Sequence, residues 1–339
     1  MAYRATCVSK DPLTYFLQMS DEGPYLRVSD VVLRYNDDPR ELFSHLIRIA
    51  TASKWSHSAL LYLLSDPPKG FDNTFLVEAM TKGIRIASWR NEVIPFEKFT
   101  VGIKRPLLDW YIESPYEISK HDHHDPEDAH GIAYLRHVRG IAVDQINGLY
   151  DKKTVGEMTA LYLERAAKRR LPSIPQVAEA AETIANIFKK WDESESRATN
   201  VLRFICSGLV QYSFFAALRV RIINDLRIPE HRDAAMSNLS NMDRVIFRDD
   251  PEGVVPNYIQ QLQSGKLDIA DPIPDDVLDL LKTATPADFN NSTKLEWRFI
   301  IREGVVWQID QAPDNYKPQS EDEAAALEML SEEQRVAKS

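Results

Sequence analysis

Cys206 stands in the run Phe204-Ile205-Cys206-Ser207-Gly208-Leu209-Val210, and the chain has one other cysteine, Cys7. A thiol with an ordinary pKa of about 8.5 is mostly protonated at neutral pH. A helix N-terminus and a neighbouring histidine both favour the thiolate. Small residues followed by an apolar stretch suit a nucleophile at the start of a buried helix. The N–H groups of Ser207 and Gly208 could then face an oxyanion. Far upstream, Trp55-Ser56-His57-Ser58-Ala59-Leu60-Leu61 places a histidine at the mouth of an apolar strand. Val77-Glu78-Ala79 adds a carboxylate able to fix that imidazole's tautomer and orientation. The three together read as a Cys-His-Glu hydrolase whose histidine precedes its cysteine. Each has a plainer reading when taken singly. Free cysteine is among the most buried residue types, a histidine can open a strand for structural reasons, and a carboxylate in a strand can face solvent.

Two strands must position the histidine and the carboxylate. The expected strands are about 57–64 and 74–80, joined by the turn chemistry of Asp66-Pro67-Pro68-Lys69-Gly70. His57 and Glu78 sit symmetrically about that loop, so a regular hairpin makes them cross-strand neighbours. A slip of one residue would put them on opposite faces. Upstream, residues 25–35 carry a β-branched run typical of a strand, and 41–53 has helical spacing. Val101-Gly102-Ile103-Lys104-Arg105-Pro106 is a further short strand. Residues 107–130 are irregular and polar, and 131–148 regain a helical pattern. Thr154-Val155-Gly156-Glu157 matches a capping box, and the two helices expected between 154 and 191 look inserted. After the Cys206 helix, 228–290 is punctuated by proline. A late hairpin pairs about 296–301 with 304–309, and 320–339 is an acidic, Ala/Glu-rich helix or tail.

Composition narrows the class. A chain of 339 residues with 44% hydrophobic content can bury a sizeable core. A formal net charge of -10 argues against nucleic-acid binding, which wants a basic face. Lys168-Arg169-Arg170 suits a helix end. Two cysteines make no disulfide framework, which fits a reducing compartment. The residues from Met1 carry no apolar core of signal-peptide length. The most apolar long stretch, 204–223, carries Gln211, Arg219 and Arg221, so it reads as a buried helix rather than a membrane span. The expected location is cytoplasmic, or secreted without a cleaved signal peptide.

Several blocks carry a resemblance. Val28-Ser29-Asp30-Val31-Val32-Leu33, Ser53-Lys54-Trp55-Ser56-His57-Ser58-Ala59 and Leu76-Val77-Glu78-Ala79-Met80 look like the first half of the permuted NlpC-type papain-like hydrolases, the YiiX-like branch. Gly148-Leu149-Tyr150-Asp151 resembles that family's Tyr-Asp element, and Phe204 to Val210 its cysteine motif. Thr285-Pro286-Ala287-Asp288-Phe289 through Leu295-Glu296-Trp297 resembles its closing segment. The resemblance implies an α+β fold: a circularly permuted papain-like antiparallel sheet packed on the cysteine-bearing helix. It implies one catalytic domain over about 20–310, with insertions near 107–135 and 154–200 and an acidic tail at 311–339. It implies Cys206 as nucleophile, His57 as base and Glu78 as orienting residue. Trp55, Ser56, Tyr150, Asp151 and Ser207 are then expected beside the substrate. That substrate is a peptide, a peptidoglycan fragment or a lipid, cleaved or transferred through a thioester without a cofactor. Two positions depart from the family. Ser29 replaces its usual glycine, and Cys206-Ser207-Gly208 replaces its common Cys-Ser-Glu. A different class of reading is a silent papain-like binding module that uses its insertions to grip a partner. A third is a metal protein built on His121, His123, His124 and His130 with Asp122 and Asp125, since His and Asp at short spacings suit transition metals.

Overall fold

The computed structural model describes residues 2–16, 19–20, 23–24, 26–36, 47–48, 51, 53–63, 74–80, 82–89, 99–119, 130–146, 148–151 and 203–330. The fold is mixed α+β. Twelve strands are seen among these residues: β1 (Ala2–Ser9), β2 (Met19–Ser20), β3 (Gly23–Pro24), β4 (Val31–Asn36), β5 (His57–Leu63), β6 (Phe75–Met80), β7 (Gly83–Ser88), β8 (Phe99–Pro106), β9 (Leu149–Tyr150), β10 (Arg203–Phe204), β11 (Leu295–Arg302) and β12 (Val305–Ala312). The helices are α1 (Pro12–Tyr15), α2 (Pro115–Ser119), α3 (Ile132–Asp144), α4 (Cys206–Leu226), α5 (Arg232–Ser240), α6 (Val254–Gln263), α7 (Asp275–Lys282), α8 (Pro286–Asn291) and α9 (Glu321–Glu328).

Eight strands form one open sheet in the order β1-β12-β11-β8-β4-β5-β6-β7, and its pairs are antiparallel. Apolar clusters cover both faces. One gathers Val31, Leu33, Leu60 and Val77 with Leu209, Val210 and Phe214 of α4 and Leu135 and Val138 of α3. The other gathers Val32, Ala59, Leu61 and Leu76 with Tyr15, Phe16 and Phe299. Burial on two faces explains why β4, β5 and β6 read as nearly continuous apolar runs rather than as alternating ones.

The strands expected near 57–64, 74–80, 101–106, 296–301 and 304–309 are β5, β6, β8, β11 and β12. The turn between the last two carries Glu303 and Gly304 at positive φ. The strand expected over 25–35 is shorter, since Arg27 to Asp30 form a turn before β4. A buried ion pair explains that turn. Asp30 accepts from the backbone N–H of Arg27 and takes both arms of the Arg105 guanidinium at 2.9 and 2.7 Å. Three elements, β1, α1 and α9, lie wholly outside the expected 20–310 boundary. β1 pairs with β12 along its length, and Glu323 of α9 accepts the Ala5 N–H. Within 107–130, the short α2 occurs where irregular chain is expected. Most of the helix expected over 41–53, the 66–70 turn and the helices expected over 154–191 fall outside the described residues.

Candidate active site

The helix α4 begins at Cys206. Its N-cap, Ile205, has extended φ/ψ and makes no side-chain cap bond. The first turn-closing bond runs from Leu209 N–H to Ile205 C=O. The N–H groups of Cys206, Ser207 and Gly208 therefore precede the intrahelical ladder, at the end where the helix dipole favours negative charge. Gly208 has a packing reason. A Cβ there would collide with the backbone carbonyl of Lys282, at the end of α7. Glycine is thus the one residue type that lets α7 approach α4 so closely.

The two strands deliver the imidazole and the carboxylate. The β5–β6 ladder pairs Leu60 with Val77, which puts Glu78 in line with Ala59, two residues from His57. The symmetric hairpin is therefore offset by two, and an even offset keeps both side chains on one face. His57 Nε2 lies 2.8 Å from Glu78 Oε2. Glu78 is fully buried and ionised, so Nε2 carries the proton and donates. Nδ1 is then left to face the Cys206 thiol, which lies near enough for each group to shift the other's pKa. The N–H of Ser58 also reaches the thiol sulfur. Ser207 Oγ lies 3.7 Å from it.

Two arginines complete the carboxylate's shell. Arg34 Nη2 donates to Oε2 at 2.7 Å. Arg85 gives both Nε and Nη2 to Oε1, at 2.9 and 2.6 Å. The sheet register explains their presence, since Arg34 pairs with His57 and Arg85 pairs with Glu78. Arg34, His57, Glu78 and Arg85 thus form one polar row across β4, β5, β6 and β7. Sequence reading missed both arginines. The strand period could have suggested them only once the pairing order was known.

The electrostatics follow from this shell. Burial pushes the Glu78 carboxyl up, but the His57 bond and charge, then Arg34 and Arg85, outweigh it and hold the group well below the usual carboxylate range. Burial pushes the Cys206 thiol up. The His57 charge and bond, the Ser58 N–H and the Ser207 hydroxyl bring it down to about 7. Burial and the Arg34 charge pull the His57 imidazole down, while the thiol and the Glu78 bond more than compensate and leave it raised. Such an arrangement can hold a thiolate–imidazolium pair at neutral pH.

The expected substrate residues divide. Trp55 is fully buried. Its indole N–H donates to Asn290 Oδ1 at 2.9 Å and its ring lies against Trp297, so it belongs to the core and lines no groove. Ser56 is also buried, with Oγ donating to Arg34 C=O at 3.3 Å. Ser207 is buried against the thiol rather than open to a ligand. The burial of these three has one cause: residues flanking His57 and Cys206 in sequence are pulled inward by the two-faced packing of the sheet. The backbones of Tyr150 and Asp151 do come to the site. β9 runs parallel to β10, with Tyr150 opposite Phe204, and Asp151 N–H donates to Phe204 C=O at 3.0 Å.

His121 to Asp125, like Lys168 to Arg170, lie outside the described residues. His130 places Nε2 at the carbonyls of Leu108 and Tyr111 and Nδ1 3.5 Å from Glu113. Among the described residues no three His, Cys, Asp or Glu side chains are grouped to hold a metal. Nor is any helix among them long and apolar enough to cross a membrane. Comparison with family models, with curated proteins and with solved structures returns no match.

Proposed function

We propose that this protein is a cysteine hydrolase or acyltransferase of permuted papain-like type, cleaving an amide or ester through a thioester on Cys206. The observation that carries this reading is the gathering of thiol, imidazole and carboxylate, with His57 Nε2 2.8 Å from Glu78 Oε2 and the thiol at a helix N-terminus beside the imidazole. His57 takes the thiol proton on Nδ1, and the thiolate attacks the substrate carbonyl. First-turn N–H groups of α4 are the available donors for the oxyanion. The imidazolium returns its proton to the leaving group, and water or a second acceptor releases the acyl chain.

Ser29 adds support for the family reading. It stands where the family has glycine, and it holds φ at 65°, a left-handed conformation glycine adopts freely. Its hydroxyl donates to Leu135 C=O at 2.7 Å, a bond that offsets the backbone strain. The capping box of α8 is the second support: Thr285 and Asp288 cap each other's N–H groups with Pro286 at the first helical position. These residues open the block that resembles the family's closing segment.

The substrates in view are a peptide, a peptidoglycan fragment or a lipid ester. The 1% exposure of Cys206 favours one rival reading, a silent binding module of the same scaffold. Site-resolved alkylation across pH, with Cys7 as the exposed internal comparison, separates the two. The hydrolase reading expects Cys206 to react as a thiolate with a midpoint near pH 7 and to lose that behaviour in His57→Ala. A Cys206 that never outpaces Cys7 below neutrality, or ignores the loss of His57, hands the case to the binding module.

A further inference from the structure

Glu78 is asked to serve two cations through one oxygen. Oε2 accepts from His57 Nε2 at 2.8 Å and from Arg34 Nη2 at 2.7 Å, while Oε1 is taken by Arg85. The Arg34 side chain is 8% exposed and that of Glu78 is fully buried, whereas the Arg85 side chain is 46% exposed. Charges withdrawn from water act on each other far more strongly than charges that water can screen. A fixed guanidinium this close to the imidazole therefore does two things. It locks the carboxylate oxygen that orients His57, and it sets a like charge beside any imidazolium that forms.

We propose that Arg34 is a positioning residue of the Cys206–His57 pair, acting through Glu78 to orient the imidazole while opposing its full protonation. The inference rests on the catalytic reading above. Among the described residues, the groups facing His57 are Arg34 from β4, Glu78 from β6 and Cys206 from α4, with Arg85 of β7 acting through Glu78. Among them Arg34 is the one that works against a positive ring, and the Arg34 charge lowers the His57 pKa. The purpose follows from the chemistry. A histidine locked as imidazolium stabilises the thiolate but holds its proton too tightly to return it to a leaving group. Efficient proton transfer needs a donor whose pKa lies near the working pH. Arg34 keeps the pair close to that balance.

The sign of one shift tests this. Arg34→Gln keeps an N–H donor for Oε2 and removes the charge. The alkylation profile of Cys206 should move to lower pH, on the order of one unit, because the imidazolium that stabilises the thiolate is no longer opposed. His57, followed by its ring proton resonances, should titrate at higher pH. Arg34→Lys restores a charge and should move both profiles back toward the parent. Arg85→Gln, on the other oxygen and half-exposed, should shift them less. An unchanged profile in Arg34→Gln overturns the proposal. A shift to higher pH also overturns it, since that is the result of merely losing the carboxylate's position. Arg34→Met is the second variant should the glutamine chain not fold. If neither folds, Arg34 is a structural residue and the proposal fails. These outcomes are separate from failure of the catalytic reading, which shows in the parent protein as a Cys206 no more reactive than Cys7.

Discussion

At the scale of single residues the site behaves as a short relay of charges, and Glu78 is its fixed end. The carboxylate's folded pKa lies below its unfolded value. Its contribution to stability is therefore full above the ordinary glutamate range near pH ~4.3 and is lost as pH falls below it. A series of denaturant midpoints from pH 7 to 3 should show this loss in the parent and a flatter dependence in Glu78→Gln. The same substitution leaves Arg34 buried without its carboxylate. At pH 7 it should cost about 3–5 kcal/mol by chemical denaturation, and it should move the Cys206 alkylation midpoint up from about 7. A fall in stability with an unmoved alkylation profile would mean that Glu78 holds the sheet together without tuning the thiol.

Elements place those residues, and two backbone positions show how narrowly. Gly208 gives α7 its close approach to α4. Gly208→Ala should cost about 1–3 kcal/mol, as overpacking does, and should disturb the first turn that carries Cys206. Thermal melts give the first effect and alkylation rates the second. Ser29 reverses the usual order of substitutions. At φ 65° an alanine keeps the strain and loses the bond to Leu135, while a glycine loses the bond and relieves the strain. Ser29→Gly should therefore be more stable than Ser29→Ala by on the order of 1 kcal/mol, and equal melting midpoints would contradict the strain argument. Elements also sort the polar residues by consequence. Lys104 is buried, with Nζ donating to the carbonyls of Phe289, Asn290 and Ser292 at 2.7, 2.8 and 3.0 Å. It closes the end of α8 rather than serving the thiol.

Across the whole molecule, the sheet spreads the site and the terminal elements over different strands. The thiol relay occupies β4 to β7 and β1 lies at the opposite edge with α9 packed on it, while Glu328 of α9 also pairs with Lys54, just before β5. Removing residues 313–339 takes away Glu323, which accepts the Ala5 N–H, and the fully buried Ala326. The truncated chain should melt several degrees lower yet keep parent-like Cys206 alkylation at 20 °C. Lost reactivity in a chain that is still folded would show that the far edge props up the site. The three residues of the proposed site were legible in the sequence because each kind of signal was local. A cysteine before small residues marked a helix start, and His57 and Glu78 lay in apolar runs on either side of a proline-rich turn. The β5, β6, β8, β11 and β12 strands were legible for the same reason, since an apolar run reports burial directly. The packing role of Trp55 was not legible, nor was the seating of α9 on β1. Arg34 and Arg85 belong to no motif in the sequence, and nothing nearby in the chain names their partner. Only tertiary structure decided that β4 lies beside β5 and β7 beside β6, because strand order depends on contacts between residues far apart in the chain. That order is what brings two guanidiniums to one buried carboxylate.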